Sequence, residues 1–143
     1  MKCFVRPLMI GAILLCAVPA QAGETPAPDG AKLYIISPAD GAKLASPVKV
    51  VFGLSGMGVA PAGVEKENTG HHHLFVDAPL PEGAALNEAI AKDAQHLHFG
   101  GGQTEAKVEL APGKHTLQLL LGDHNHIPHK APVASEVVTI IVE

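Results

Sequence analysis

Beyond its first thirty residues the chain is cut into short β-prone runs by proline, glycine and aspartate, and this punctuation constrains the fold more than any other feature. With 15 Gly and 12 Pro in 143 residues, few stretches stay uninterrupted long enough for a helix. Leu33-Tyr34-Ile35-Ile36 stops at Ser37-Pro38, Asp40-Gly41 marks a turn, and residues 47–52 alternate into a second strand. Residues 53–70 read as a long irregular connection. Residues 71–77 follow with a period-2 pattern, setting His72, Leu74 and Val76 against His71, His73, Phe75 and Asp77. Residues 78–95 are interrupted by Pro79 and Pro81, and leave room for one or two helical turns through Leu86, Ala89, Ile90 and Asp93. Residues 96–99 make a short strand, 100–102 a glycine turn, and 105–110 a further strand. Pro112-Gly113 turns the chain into 114–121, the clearest alternation of all, and after a loop over 122–132 residues 135–142 close it. A series of about seven short strands implies an all-β fold, an immunoglobulin-like antiparallel β-sandwich. Four Phe, one Tyr and no Trp leave its core to Val, Leu and Ile.

Residues 1–22 are expected to be an export signal: Lys2 and Arg6 precede an apolar stretch over 8–18, and Ala20-Gln21-Ala22 is an A-x-A cleavage site. Cys16 follows Leu14-Leu15, but the small residue that precedes a lipidated cysteine is missing. Residues 23–31, rich in Pro, Gly and Ala, read as a flexible lead-in, and 32–143 as a single domain of a size suited to one core. Cleavage removes both cysteines, two of the three methionines, Lys2 and Arg6. The mature chain then has no thiol, no disulfide and no arginine, and its formal charge moves from −4 to −6. Acidic and without basic runs, it suits neither nucleic acid nor an anionic membrane surface, and no transmembrane span is expected in it. Its expected location is periplasmic or secreted.

Chemistry is concentrated in histidine. Of nine histidines, eight fall into three clusters: His71-His72-His73, His96-Leu97-His98, and His124-Asn125-His126-Ile127-Pro128-His129. Imidazole is the commonest transition-metal ligand among side chains. Alternate residues of a strand share a face about 6 to 7 Å apart, so His71 with His73, or His96 with His98, can reach one ion at nitrogen–metal distances near 2 Å. In a sandwich the strand at 71, the turn at 100–102 and the loop at 123–129 are expected at one end, which would gather His71, His73, His96, His98, His124, His126 and His129 as metal ligands. Asp77 or Asp123 could act as an acceptor that fixes an imidazole tautomer. His72, on the Leu74–Val76 face, is expected to pack in the core, and His115, after the opposite turn, to be structural. The alternative for His71, His73, His96 and His98 is a buried hydrogen-bond network that fastens loops, and for His124, His126 and His129 it is exposure on a loop. Gly100-Gly101-Gly102 lacks the lysine of a phosphate loop, and no activated Ser or Cys nucleophile or paired-carboxylate arrangement can be picked out.

The segments 70–74 (GHHHL), 98–105 (HFGGGQTE) and 122–129 (GDHNHIPH) resemble those of a bacterial family of exported domains catalogued as a domain of unknown function. The resemblance covers roughly residues 33–143, implies a small exported domain, and brings no activity or catalytic residue with it. A looser likeness is to copper–zinc superoxide dismutases, which also carry H-x-H on a β-sandwich strand. It stops there, because their disulfide and active-site arginine have no counterpart in the mature chain. Exported copper-resistance carriers of immunoglobulin-like fold offer an analogy of fold only.

The sequence therefore points to a periplasmic carrier or buffer of Cu(II) or Zn(II) rather than to an enzyme, since nothing beyond candidate ligands is visible. Nitrogen ligands without thiolate suit these ions better than Cu(I). A non-catalytic envelope module that binds a protein or glycan, and an enzyme of dismutase type, are the alternative readings.

Overall fold

The computed structural model describes residues 23–143, so the expected export signal at 1–22 lies outside the described residues. The strong alternation near the C-terminus becomes the longest strand, and the other elements are arranged around it. In chain order the strands are β1 (Lys32–Ser37), β2 (Lys43–Leu44), β3 (Val48–Ser55), β4 (Gly58–Val59), β5 (Thr69–Val76), β6 (His96–His98), β7 (Glu105–Val108), β8 (Gly113–Gly122) and β9 (Val138–Val142). The one helical piece among the described residues is a 3-10 turn at Gly83–Asn87. As expected, the fold is all-β. Two of the nine strands have only two residues each, β2 and β4, and these add parallel pairings to β9 and β5.

Two sheets face each other across one core. The smaller has the order β1-β3-β7 and is antiparallel throughout. The larger runs β2-β9-β8-β5-β4, with β6 also paired to β5. Leu33, Val48, Val50, Phe52 and Val108 of the small sheet pack against Leu74, Val76, Leu117, Leu119, Leu121, Ile140 and Val142 of the large one. Burying a side chain of this kind contributes about 1.5–3 kcal/mol, which suffices for a sandwich with almost no aromatics.

The period-2 rule fails on β5 in an informative way. From Gly70 to Val76 every residue is buried, on both faces of the strand. The inner face carries His72, Leu74 and Val76 toward the core. The outer face carries His71, His73 and Phe75, which stand opposite Gly122, Leu120 and Gln118 of β8. Two excursions cover this outer face. The segment 77–95 is tied back by Ile90 N–H donating to His126 O at 2.8 Å, and the loop after β8 sets the His126 ring against His71 and His73.

The segment 23–31, expected to be a flexible lead-in, is tied down at its start. Gly23 is buried, Thr25 Oγ1 donates to Asp123 Oδ2 at 2.6 Å, and Lys130 N–H donates to Thr25 O. Its apolar residues explain part of this, for Ala27 and Ala31 pack against the core.

Candidate metal centre

Three elements bring four imidazoles together on the outer face of the large sheet. His71 and His73 share that face of β5, His98 lies across the ladder from His73 on β6, and His126 descends from the loop after β8. One nitrogen from each lies within 4.8 Å of those of the other three. His71 Nε2 is 3.0 Å from His73 Nε2 and 3.1 Å from His126 Nδ1. The rings of His71, His73 and His126 each lie 5.0 Å or less, centroid to centroid, from that of His98.

Local sequence accounts for this convergence. The Asp123 carboxylate accepts backbone N–H groups from Asn125 and Ile127 at 2.8 and 3.0 Å, folding the loop into a tight Asx turn. His126 N–H then donates to Asp123 O, and His126 sits at φ +67°, a left-handed conformation uncommon for a residue with a side chain. Strained backbone of this kind persists where surrounding bonds impose it, and here they do so at a candidate ligand. Burial alone would raise the Asp123 carboxyl, but the hydrogen bonds from Thr25, Ile127 and Asn125 bring it below its ordinary value, so it stays ionised.

Two glycines make the space. A Cβ on Gly122 would stand 2.8 Å from His73 Nε2, and one on Gly100 would stand 2.5 Å from His98 Nε2. Neither has a positive φ, so the reason for glycine at both places is the close approach of an imidazole.

Burial and the neighbouring imidazoles keep His71, His73 and His98 neutral. Burial, followed by the neighbouring His126 and His98, lowers His71 to about 4. Burial together with His71, His98 and His126 lowers His73 to about 2. His98 is lowered as well, by burial first and then by His126 and Lys92. A neutral imidazole nitrogen has one in-plane site, either a proton or a lone pair. His71 Nε2 therefore cannot satisfy two facing nitrogens at once, and the buried His98 Nε2 has no hydrogen-bond partner among the described residues. One cation at the common point would use every one of these lone pairs. Tetrahedral ligation at 2.0–2.1 Å separates nitrogens by roughly 3.3–3.4 Å, so small ring movements would complete the geometry. The Nδ1 atoms of His71 and His73 are also buried without partners among the described residues. The acceptor that usually orients a metal-bound histidine is thus missing for both, and β-sheet packing orients the rings instead.

The other histidines lie elsewhere. His96, paired across from Phe75, turns its Nδ1–H to Asp93 Oδ1 at 2.8 Å and stacks edge-on against the Phe75 ring. His124 Nε2 accepts from Asn125 Nδ2 at 2.9 Å. His129 is fully buried and donates Nε2–H to Thr69 O at 3.2 Å, fastening the loop to the start of β5. The seven residues expected as one ligand group therefore divide into four that converge and three held by separate bonds. His72 packs beside Phe52 and donates Nδ1–H to Gln103 O at 3.1 Å, a core role as expected. His115 bonds Asp77 Oδ2 at 2.7 Å and Ala111 O at 2.8 Å. Asp77 does receive an imidazole, but that of His115, while Asp123 organises backbone. Sequence reasoning missed Gly122 and Gly100 as space-makers. Their signal was adjacency, each glycine lying within two residues of a clustered histidine or aspartate.

No curated protein and no solved structure matches the chain. The family described as "Domain of unknown function (DUF4399)" matches residues 50–143. That span holds all nine histidines, the strands from β4 to β9 with most of β3, and the loop that carries His126, while β1 and β2 precede it. The chain belongs to this family.

Proposed function

We propose that the protein is an exported carrier or buffer of a divalent transition metal, Cu(II) or Zn(II), held by His71, His73, His98 and His126. One observation carries this reading: His71 Nε2 faces two other imidazole nitrogens at 3.0 and 3.1 Å in a buried site with no acceptor for them all. An all-nitrogen set suits these ions, with copper favoured on intrinsic affinity. The sole methionine of the described chain, Met57, packs against the core, so no soft ligand is offered. Export to the periplasm, after cleavage near Ala22, belongs to the same proposal and rests on the sequence of residues 1–22.

Metal analysis and titration calorimetry of tag-free mature protein test it. Stoichiometric binding of Cu(II) or Zn(II) with Kd well below about 10 μM is expected, on the order of −7 kcal/mol or better. Weaker binding of both ions would remove the proposal. The loop-fastening reading keeps a place for His72, His96, His115 and His129, each of which makes a fixed bond to a carbonyl or carboxylate.

A further inference from the structure

The four imidazoles do not close over their common point. A cavity of about 260 Å³ opens onto His73, His98 and His126, and its remaining walls are Ala89, Ile90 and Lys92 from the segment that covers the outer face. Its volume is several times the roughly 30 Å³ share of a water molecule, yet below the 300 Å³ or more usual for drug-sized ligands. A molecule of a few heavy atoms fits within it. The lining is asymmetric: Ala89 and Ile90 are aliphatic, three residues are histidines, and Lys92 is the single lysine. Lys92 is near enough to His98 that its charge disfavours the protonated imidazole. The cover is fixed in place, because Ile90 N–H donates to the carbonyl of His126 itself.

We infer that Cu(II) held by the four imidazoles expands to a fifth coordination position facing this cavity, and that the position takes a small coordinating anion whose charge is met by Lys92. The inference rests on the metal-binding reading and assigns it a second ligand. In the cavity the anion replaces water on the metal, its donor atom directed at the ion and its body against Ala89 and Ile90. Lys92 raises the local anion concentration and offsets part of the charge, as a cation beside a partly enclosed site does.

Azide is the probe. Protein loaded with one equivalent of Cu(II) is titrated with sodium azide and followed by azide-to-copper charge-transfer absorption and by electron paramagnetic resonance. Saturable binding is expected, about five-fold weaker in Lys92→Gln and lost in Ala89→Phe, where the ring fills the cavity. Copper affinity itself should be unchanged in both variants. Absence of any azide-induced change in copper-loaded wild type would overturn the inference and leave the carrier reading standing. Equal azide affinity in all three proteins would overturn it too, by placing the anion elsewhere. Failure of wild type to hold copper through nitrogen ligands, visible in the resonance spectrum before azide is added, would sink both readings together.

Discussion

His72 and its two neighbours occupy one strand, are equally buried, and have opposite chemical surroundings. On the inner face of β5, His72 lies beside Phe52 and gives its Nδ1 proton to a fixed carbonyl of Gln103. On the outer face the Nε2 atoms of His71 and His73 bond only to other imidazoles. The bond to Gln103 satisfies one of the two nitrogens of His72, while its Nε2 is buried without a partner among the described residues. A group of imidazoles whose buried nitrogens cannot all be paired is a standing desolvation cost on the folded protein. The two faces thus separate a histidine that serves the fold from histidines that cost it stability.

The comparison breaks most sharply under substitution. His71→Ala combined with His73→Ala should weaken Cu(II) or Zn(II) binding by at least about a hundredfold, near 3 kcal/mol. His72→Ala should leave the affinity within about threefold and instead cost about 2–4 kcal/mol of stability through the cavity it opens against Phe52. Calorimetric titration alongside urea unfolding reads both. Loss of affinity in the His72 variant equal to that in the double variant would erase the distinction between the faces.

Acid should sharpen it. His71 is lowered from 6.5 to about 4 and His73 from 6.5 to about 2, so both bind protons more readily in the unfolded chain than in the folded one. Their stabilising contribution is complete above the unfolded value. It falls as pH drops below 6.5, by up to about 1.4 kcal/mol per pH unit for each proton taken up only on unfolding. For His71 the fall ends near pH 4, whereas for His73 it continues toward pH 2. Metal-free wild type measured by urea unfolding between pH 7 and 4 should lose stability steeply, and the His71→Ala, His73→Ala double variant less steeply. His72, lowered by burial, adds a fall of the same sign to both proteins. Parallel profiles would mean that the outer cluster is not held neutral by the fold.

Much of this arrangement was legible in residue order. Alternation in 114–121 located β8, and the i, i+2 spacing of His71 and His73 set both on one face of β5. The inward direction of His72 followed from Leu74 and Val76. What residue order could not supply was cover. Period-2 reasoning expects a strand to have a wet face, but 77–95 and the chain after Gly122 fold over β5, so histidines at a rim became histidines in an interior. Nor could spacing separate His98 from His96, which share a strand and a parity. Asp93 is three residues before His96 and captures its ring, while His98 has no such carboxylate and faces His73. The loop posed a similar problem. His124, His126 and His129 are equivalent by composition, and only the Asp123 turn, with the left-handed backbone it imposes on His126, selects which one descends to β5.

The smallest effect concerns the one histidine outside the clusters, and it carries the opposite sign. His115 donates from both ring nitrogens, to the Asp77 carboxylate and to the Ala111 carbonyl, which requires the protonated ring. The Asp77 hydrogen bond, then that from Ala111, raises its pKa above the usual value, against a smaller lowering by burial. A raised folded pKa gives stability that is fully present below the unfolded value of 6.5 and is lost as pH climbs through the folded one. His115→Gln should therefore destabilise more at pH 6 than at pH 9, by no more than about 1 kcal/mol because the Asp77 side chain is partly solvated. Urea unfolding at the two pH values reads the difference. An equal loss at both would mean that the ring acts through packing or a neutral hydrogen bond. The sign of its pH response then sets this histidine apart from His71 and His73: an imidazole with two oxygen acceptors is stabilised as a cation, and imidazoles that face only one another are held neutral.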